Sequence, residues 1–432
     1  MTKKELKKKL YKLFDPDTSE CKFYIPLDEA RGSQGLVTKL ADNIRMTDKP
    51  VCQLLAGHRG SGKSTELFRL KKELEAGEDK YFVILFDAVA NRNIDPLDVD
   101  FPEVLIAIIA HLSNNLKERL SIDLDPAYLK TLFKGIGSIL KSTVDFSSIE
   151  LNTGLLKLSG ALTKTPDFRK ELRKKMSPIA DQWITATNSI IDTAIEKIIE
   201  KGYAGLVIIV DGLDKILMNR DPNEKSCAER LFDDWNVQLR SLNCHMLYTI
   251  PIALAYSSSE RNIASNFGIT SPPVIPMTKL FDDEGSETEG IGRFIEIIQK
   301  RIKSVGAELD KVFENGETTV RKLIKLSGGQ PRELMVLIRG AMLGGVLPIK
   351  EASITEAAGN ITNAYRRQLW REHWKETEFV KKHHRLNRSS KRDRICMDLL
   401  DMRAVLQYKN GDEWYDLNPL LPDKPEDIEN GE

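Results

Sequence analysis

The sequence predicts an α/β fold, a doubly wound parallel sheet followed by a helical domain. Continuously apolar short runs predict strands buried on both faces, and helical patterns separate them. Regular alternation of strands and helices is typical of such a sheet. The chain has 432 residues, of which 41% are hydrophobic and 30% charged. It is therefore long enough for two or three domains and apolar enough to bury a core, which excludes a wholly disordered chain.

Five apolar runs predict the strands of the sheet. They are residues 51–56, 81–86, 206–210, 245–250 and 273–277. Helical spacing follows the first strand and recurs over residues 103–120. Ser177 and Pro178 predict the start of a further helix to about Glu200, because serine caps helices and proline suits their first turn.

Composition and periodicity divide the chain into successive segments. Residues 1–24 are a basic N-terminal helix and linker, and residues 25–285 are the sheet-containing core, with an insertion at about 122–176 that contains a small hairpin. Residues 286–350 form the helical domain. Residues 351–422 are a basic helical segment and a helix followed by a hairpin that turns at Asn410-Gly411, an arrangement typical of a winged helix. Residues 423–432 are an acidic tail.

One nine-residue stretch between the first strand and its helix has the spacing G-x-x-x-x-G-K-[ST], which is typical of a phosphate-binding loop. The stretch, which we call the phosphate loop, consists of Gly57, His58, Arg59, Gly60, Ser61, Gly62, Lys63, Ser64 and Thr65. Glycines let backbone N–H groups point inward at an anion. Lys63 would reach the β- and γ-phosphates and Ser64 would bind Mg²⁺, while Thr65 would cap the helix or contact the α-phosphate. The alternative is a glycine-rich helix start without a ligand, and the flanking strand and helix favour the phosphate loop.

Acidic residues follow the third strand. Asp211 ends an apolar run, at the sheet edge where ligands of parallel sheets bind, so we expect it to hold Mg²⁺. Asp214 is a candidate general base for the attacking water. Its alternative role is a helix cap or a surface acid.

Two further residues suit a site for the γ-phosphate. Thr249 ends the fourth strand and could hold the attacking water, although threonine is also common at strand ends. Arg332 lies in the first turn of a helix, where the helix dipole repels cations, so an anion beside it would relieve the conflict. A bound nucleotide is the obvious anion, and a solvated surface arginine is the alternative.

Together these residues resemble the AAA+ superfamily, near the initiator clade and the signalling STAND NTPases. The resemblance rests on GHRGSGKST, IIVDGLDK, YTIPIALAYS and LSGGQPREL and spans about residues 25–345. It implies an ATPase with ATP and Mg²⁺, Asp211 as the Walker B acid, Thr249 as sensor 1 and Arg332 as sensor 2 on a helical lid at 286–350. The usual glutamate after the Walker B aspartate is replaced by Gly212, which puts the identity of the base in doubt and implies slow hydrolysis.

The resemblance also implies an oligomer that assembles with ATP and acts on a partner protein or effector. Many relatives of the similar bacterial ATP-binding proteins belong to phage-defence or mobile-element gene neighbourhoods, which implies antiviral defence or DNA transactions. AAA+ proteins form rings in which an arginine of one subunit, the arginine finger, enters the nucleotide site of the neighbouring subunit. Arg261 is the candidate for this arginine, and Arg230 and Arg240 are alternatives. The other interpretation is that Arg261 is an ordinary solvated loop arginine. Residues 24–26 would pack on adenine or simply on the core.

Charge and cysteine content bound the partners and the compartment. Residues 366–394 hold eleven Lys or Arg against four acids, with Trp370 and Trp374 among them. Basic and aromatic side chains can bind nucleic acid, and a solvated helix face or a protein-docking surface are the alternatives. Five scattered cysteines and the lack of a long apolar run predict a reduced, cytoplasmic protein without a membrane span.

Three functions therefore compete. The first is an ATP-driven switch. The second is a nucleotide-binding scaffold that scarcely hydrolyses ATP, which the glycine at position 212 favours. The third is a P-loop phosphotransferase, against which the arginine of GGQPR counts.

Overall fold

The computed structural model describes residues 2–17, 21–124, 159–161, 163–218, 224–282, 284–343, 345–387 and 393–425. These residues fall into two compact units. The sheet unit comprises residues 37–56 and 67–274, and the loop unit comprises residues 1–36, 57–66 and 275–432. The hairpin predicted within the insertion lies outside the described residues, as does most of the acidic tail.

The sheet unit contains the predicted parallel sheet, and all five predicted strands are confirmed. The strands are β1 (Cys52–Gly57), β2 (Phe82–Asp87), β3 (Leu206–Asp211), β4 (His245–Thr249) and β5 (Val274–Ile275), and their order is β2-β3-β4-β1-β5. The pairs β2–β3, β3–β4 and β1–β4 are parallel. Because β4 lies between β1 and β3, the carboxyl ends of these three strands share one edge of the sheet.

Helices cover this sheet. They are α2 (Leu36–Arg45), α3 (Lys63–Leu74), α4 (Phe101–Leu120), α5 (Pro166–Met176), α6 (Ala180–Glu200), α7 (Cys227–Glu229), α8 (Asn236–Arg240), α9 (Ile252–Ala255) and α10 (Glu260–Phe267). Asp100 caps α4 through the backbone N–H of Phe101, and most of this apolar helix is buried in the core. The helix predicted from Ser177 begins as a 3₁₀ turn at 177–179, and the α-helical part starts at Ala180.

The part of the insertion that is described is held by a cluster of ion pairs. Arg173 of α5 pairs with Asp98 at 2.7 Å and with Glu103 of α4 at 2.6 Å. Arg169 pairs with Asp98 at 3.1 Å and with Asp95 at 3.2 Å. Because Arg169 and Glu103 are buried, loss of one partner would leave a buried charge unpaired, so the cluster fixes α5 to the start of α4.

The loop unit is mainly helical. Its helices are α1 (Lys3–Leu13), α11 (Glu289–Lys303), α12 (Leu309–Val312), α13 (Glu317–Leu326), α14 (Pro331–Leu343), α15 (Glu351–Gln368), α16 (Arg371–His383) and α17 (Asp393–Asp401). Thr2 and Glu5 form a capping box at the start of α1. The basic helix α1 packs against α11 and α14 of the same unit.

A hairpin follows α17, as the sequence predicts. Its strands β6 (Val405–Asn410) and β7 (Asp412–Leu417) are antiparallel and turn at Gly411. Leu406 and Tyr408 of β6 pack with Met277 and Trp414. The assignment of α17 and this hairpin to a winged-helix module stays a prediction.

Among the described helices, none combines the length and the apolar character needed to cross a membrane.

Candidate functional site

The phosphate loop connects β1 to α3 and curls through its glycines. The φ angles of Gly57, Gly60 and Gly62 are 150°, 86° and 99°, values that side chains disfavour. A loop of this kind turns backbone N–H groups toward one side and leaves carbonyl groups on the other. Thr65 lies inside α3, which begins at Lys63, so it does not cap this helix, and its contact with the α-phosphate stays a prediction.

The lysine of the loop is buried and donates to the loop itself. The Nζ atom of Lys63 lies 2.7 Å from the carbonyl oxygen of Gly57 and 2.8 Å from that of His58. Only 4% of Lys63 is exposed. The ammonium is therefore held at the mouth of the loop by backbone oxygens, which an anion could replace.

His58 ties the phosphate loop to the C-terminal helix and hairpin. Its ring is fully buried, Nδ1 lies 3.2 Å from the carbonyl oxygen of Leu400, and Nε2 accepts a hydrogen bond of 3.0 Å from the N–H of Gln407. These partners assign the proton to Nδ1 and leave the ring neutral. The pKa of His58 is lowered to about 3, mainly by burial and also by the positive charges of Lys63 and Arg403, while the hydrogen bond to Leu400 acts in the opposite direction.

Arg332 lies beside the phosphate loop and has an anionic side chain next to it, while the nucleotide expected there stays a prediction. Its backbone N–H donates to the carbonyl oxygen of Gly60 at 3.3 Å. Its guanidinium Nη2 lies 2.7 Å from Oδ1 of Asp17. The anion is therefore a carboxylate of the N-terminal segment. Two residues earlier, Asp15 pairs with Arg339 at 3.0 Å on the same helix.

The sheet unit carries the predicted acids at the carboxyl edge of its strands. Asp211 is 4% exposed and accepts a hydrogen bond of 2.7 Å from the N–H of Gly212. Asp214 is 5% exposed in a short 3₁₀ turn, so the alternative of a surface acid is wrong. Thr249 is fully buried at the end of β4, and its hydroxyl has no hydrogen-bond partner among the described residues. Such a buried hydroxyl favours a ligand.

The position where a catalytic glutamate would stand is closed. A Cβ atom at Gly212 would lie 2.2 Å from Oδ1 of Asp87, and the φ angle of 85° disfavours a side chain. The Asp87 carboxylate is fixed there by a 2.5 Å ion pair with Lys215 and by the N–H groups of residues 89 and 90. Glycine at 212 is therefore required by the neighbouring strand.

The remaining candidates have different settings. Arg261 is exposed on α10, whereas Arg230 and Arg240 donate to backbone oxygens of their own unit. The hydroxyl of Tyr24 donates to Glu66 at 3.3 Å, so residues 24–26 approach the start of α3. Arg59 and Ser64 are half-buried.

Of the two tryptophans in the basic segment, one is exposed to solvent. Trp370 is 62% exposed, next to exposed Arg366, Arg367 and Arg371. Trp374 is 5% exposed, so it belongs to the core and cannot stack on bases. Arg388, Lys391 and Arg392 lie outside the described residues.

Comparison with known proteins finds little similarity. No protein-family model matches the chain, and no curated protein matches it. One similar solved structure is that of Drosophila ORC bound to DNA, with a TM-score of 0.39 and 13% identity, covering 96% of this chain and 89% of that chain. At this level of similarity, function has to be inferred from the residues of this chain.

Two residues were missed by sequence reasoning. Arg31 and Asp17 are remote in sequence from the phosphate loop and from Arg332, and neither belongs to a motif. The acidic pair Asp15 and Asp17 beside a basic helix was the available signal for one of them; Arg31 had none.

We expect Gly212→Ala to destabilise the sheet unit by about 2 kcal/mol or more, because strain at positive φ adds to the clash with Asp87. The matched control is Gly268→Ala, which has a φ of 66° and no atom within 4 Å of the added Cβ. Thermal unfolding of both variants measures the difference. An equal shift in the two midpoints would contradict the clash.

Acidification should weaken the contact of His58 with the C-terminal hairpin. The pKa of His58 is lower in the folded protein than its value of about 6.5 in the unfolded chain. The contribution of His58 to the free energy of unfolding is therefore fully present above about pH 6.5. It falls by about 1.4 kcal/mol per pH unit as the pH drops from there toward the pKa of the folded state. Between about pH 7 and about pH 5, we therefore expect a larger drop in thermal midpoint for the unmodified chain than for His58→Gln. Identical drops would show that His58 does not contribute.

Proposed function

We propose that this protein binds ATP through the phosphate loop and hydrolyses it slowly as part of a nucleotide-driven switch. The observation that carries the proposal is the loop itself, which curls through glycines at positive φ and holds the Lys63 ammonium on two of its own backbone oxygens. A triphosphate offers stronger acceptors than carbonyl oxygens, so Lys63 would move from the loop to the β- and γ-phosphates.

The residues suit Mg²⁺ as the accompanying ion. Mg²⁺ prefers hydroxyl and carboxylate oxygens, and the roles of Ser64 and Asp211 as its ligands stay proposals. Asp214 is the proposed base, and Thr249, with its buried hydroxyl, is proposed to hold the attacking water.

Two contacts of the loop unit support a switch. The guanidinium of Arg332 is paired with Asp17, so a phosphate would have to replace that carboxylate. His58 is hydrogen-bonded to α17 and β6, so a change in the conformation of the phosphate loop would alter its contacts with these C-terminal elements. ATP-linked assembly, with Arg261 as a finger, is the proposed consequence.

A nucleotide-binding scaffold is the second candidate. It is favoured by the side chain of Asp87, which leaves no room for a glutamate after Asp211. Steady-state phosphate release separates the two, because a scaffold binds ATP without releasing phosphate.

Nucleic acid is the partner that the basic segment favours. Exposed Trp370 can stack on a base while Arg366, Arg367 and Arg371 neutralise phosphates. An action on DNA or in phage defence is part of the same proposal, and it rests on the resemblance alone.

Lys63→Ala should abolish ATP binding, since the variant loses the ammonium for the β- and γ-phosphates. Isothermal titration with ATP and Mg²⁺ measures this loss, and wild-type affinity of the variant would contradict the assignment.

Asp214→Asn should keep the affinity and lower phosphate release by about a hundredfold or more, as expected for a general base. Unchanged turnover would remove Asp214 from the mechanism.

Asp17→Asn should tighten ATP binding, because the carboxylate no longer competes for Arg332. Exposed ion pairs contribute at most about 1 kcal/mol, so the expected gain is up to about fivefold in Kd. Asp15→Asn is the matched control, as its partner is Arg339. If the control tightens binding equally, or if Asp17→Asn weakens it, Asp17 is not a competitor of phosphate.

A further inference from the structure

Arg31 is a buried arginine in contact with the phosphate loop. It is 2% exposed and belongs to the loop unit, as do all its partners described here. Its Nη2 donates to the carbonyl oxygen of Ser61 at 2.5 Å, and its Nη1 lies 3.0 Å from Oε1 of Glu66. The hydroxyl of Tyr24 donates to the other oxygen of the same carboxylate. One guanidinium therefore joins the loop backbone to the first turn of α3.

The bond to Ser61 fixes the direction of a loop amide. The peptide between Ser61 and Gly62 is planar, so its C=O and its N–H point in opposite directions. When Arg31 holds the carbonyl on one side, the N–H of Gly62 must face the other side. A charged donor on the carbonyl also polarises the peptide and makes that N–H a stronger donor.

A side chain at Gly62 would crowd the guanidinium of Arg31. A Cβ atom at this position would lie 2.9 Å from Nη2 of Arg31, and the φ angle of 99° also favours glycine. The last glycine of the motif is thus explained by the approach of the guanidinium as well as by the turn.

Glu66 balances the buried charge of Arg31. The carboxylate is 4% exposed, so the pair is removed from water on both sides. Buried pairs of this kind add little net stability compared with apolar residues of similar size, whereas loss of one partner is strongly destabilising. A role in orientation explains why the pair is present better than a role in stability does.

We propose that Arg31 is a positioning residue of the phosphate loop, which turns the N–H of Gly62 toward the phosphates of the nucleotide, with Glu66 as its charge partner. The proposal rests on the proposed ATP binding. It assigns the segment 24–31, which contains no nucleotide motif, a part in the geometry of the loop.

The test compares ATP affinity with thermal stability in three variants. Arg31→Met combined with Glu66→Leu removes the pair without leaving a lone charge, and Arg31→Lys keeps the charge but lacks the two separate nitrogens with which the guanidinium reaches Ser61 and Glu66. We expect thermal midpoints close to that of the unmodified chain and Kd values for ATP raised by about tenfold, as for a lost charge-assisted hydrogen bond. Arg45→Met is the matched control. Arg45 pairs at the surface with Glu73, which belongs to the same helix as Glu66, so this variant should leave the Kd for ATP unchanged.

Three outcomes overturn the inference in distinguishable ways. If the unmodified chain binds ATP and both Arg31 variants bind it equally well, Arg31 does not position the loop and the proposed function stands. If affinity falls only in proportion to stability, and equally in the Arg45 control, the role is structural and the inference is also wrong. If the unmodified chain does not bind ATP, the proposed function and this inference fail together.

Discussion

A phosphate loop that turns its N–H groups toward an anion leaves its carbonyl groups without partners, and buried carbonyl groups need donors. In this protein the carbonyl oxygens of residues 57, 58, 60 and 61 have such donors. Lys63 donates to the oxygens of residues 57 and 58, the backbone of Arg332 donates to that of Gly60, and Arg31 donates to that of Ser61. Two of these three donors belong to segments remote in sequence. The conformation of the loop therefore depends on the N-terminal segment and on α14 as much as on its own glycines.

The sheet edge is governed by a different constraint, namely the space between neighbouring strands. The Asp87 carboxylate at the end of β2 fills the volume beside Gly212, and its own position is fixed by Lys215 and by two backbone N–H groups. An acid directly after Asp211 is excluded on steric grounds. The next carboxylate in the sequence after β3 is that of Asp214, which is buried in the following turn. Hydrolysis is proposed to be slow because no glutamate follows Asp211 directly.

The sequence predicted those features that depend on local pattern. Continuous apolar runs located all five strands, and Asn410-Gly411 located the hairpin turn. Both succeeded because strand burial and turn conformation depend on residues that are adjacent in the sequence. The dipole conflict at Arg332 predicted a bound nucleotide beside it, which stays a prediction, and the anion next to Arg332 in the structure is the carboxylate of Asp17. This contact joins residues more than three hundred positions apart, so the acidic pair Asp15 and Asp17 could indicate an ion pair but not its partner. The same holds for Arg31 on Ser61 and for His58 on the hairpin, since nothing in a motif specifies which distant side chain packs on it.

The most direct test of this account is a crystal structure of the protein with a non-hydrolysable ATP analogue and Mg²⁺. The account predicts phosphate oxygens within hydrogen-bond distance of the loop N–H groups, with the Nζ atom of Lys63 moved from the carbonyl oxygens of Gly57 and His58 to the phosphates. Phosphates bound elsewhere, with Lys63 still on those two oxygens, would contradict it.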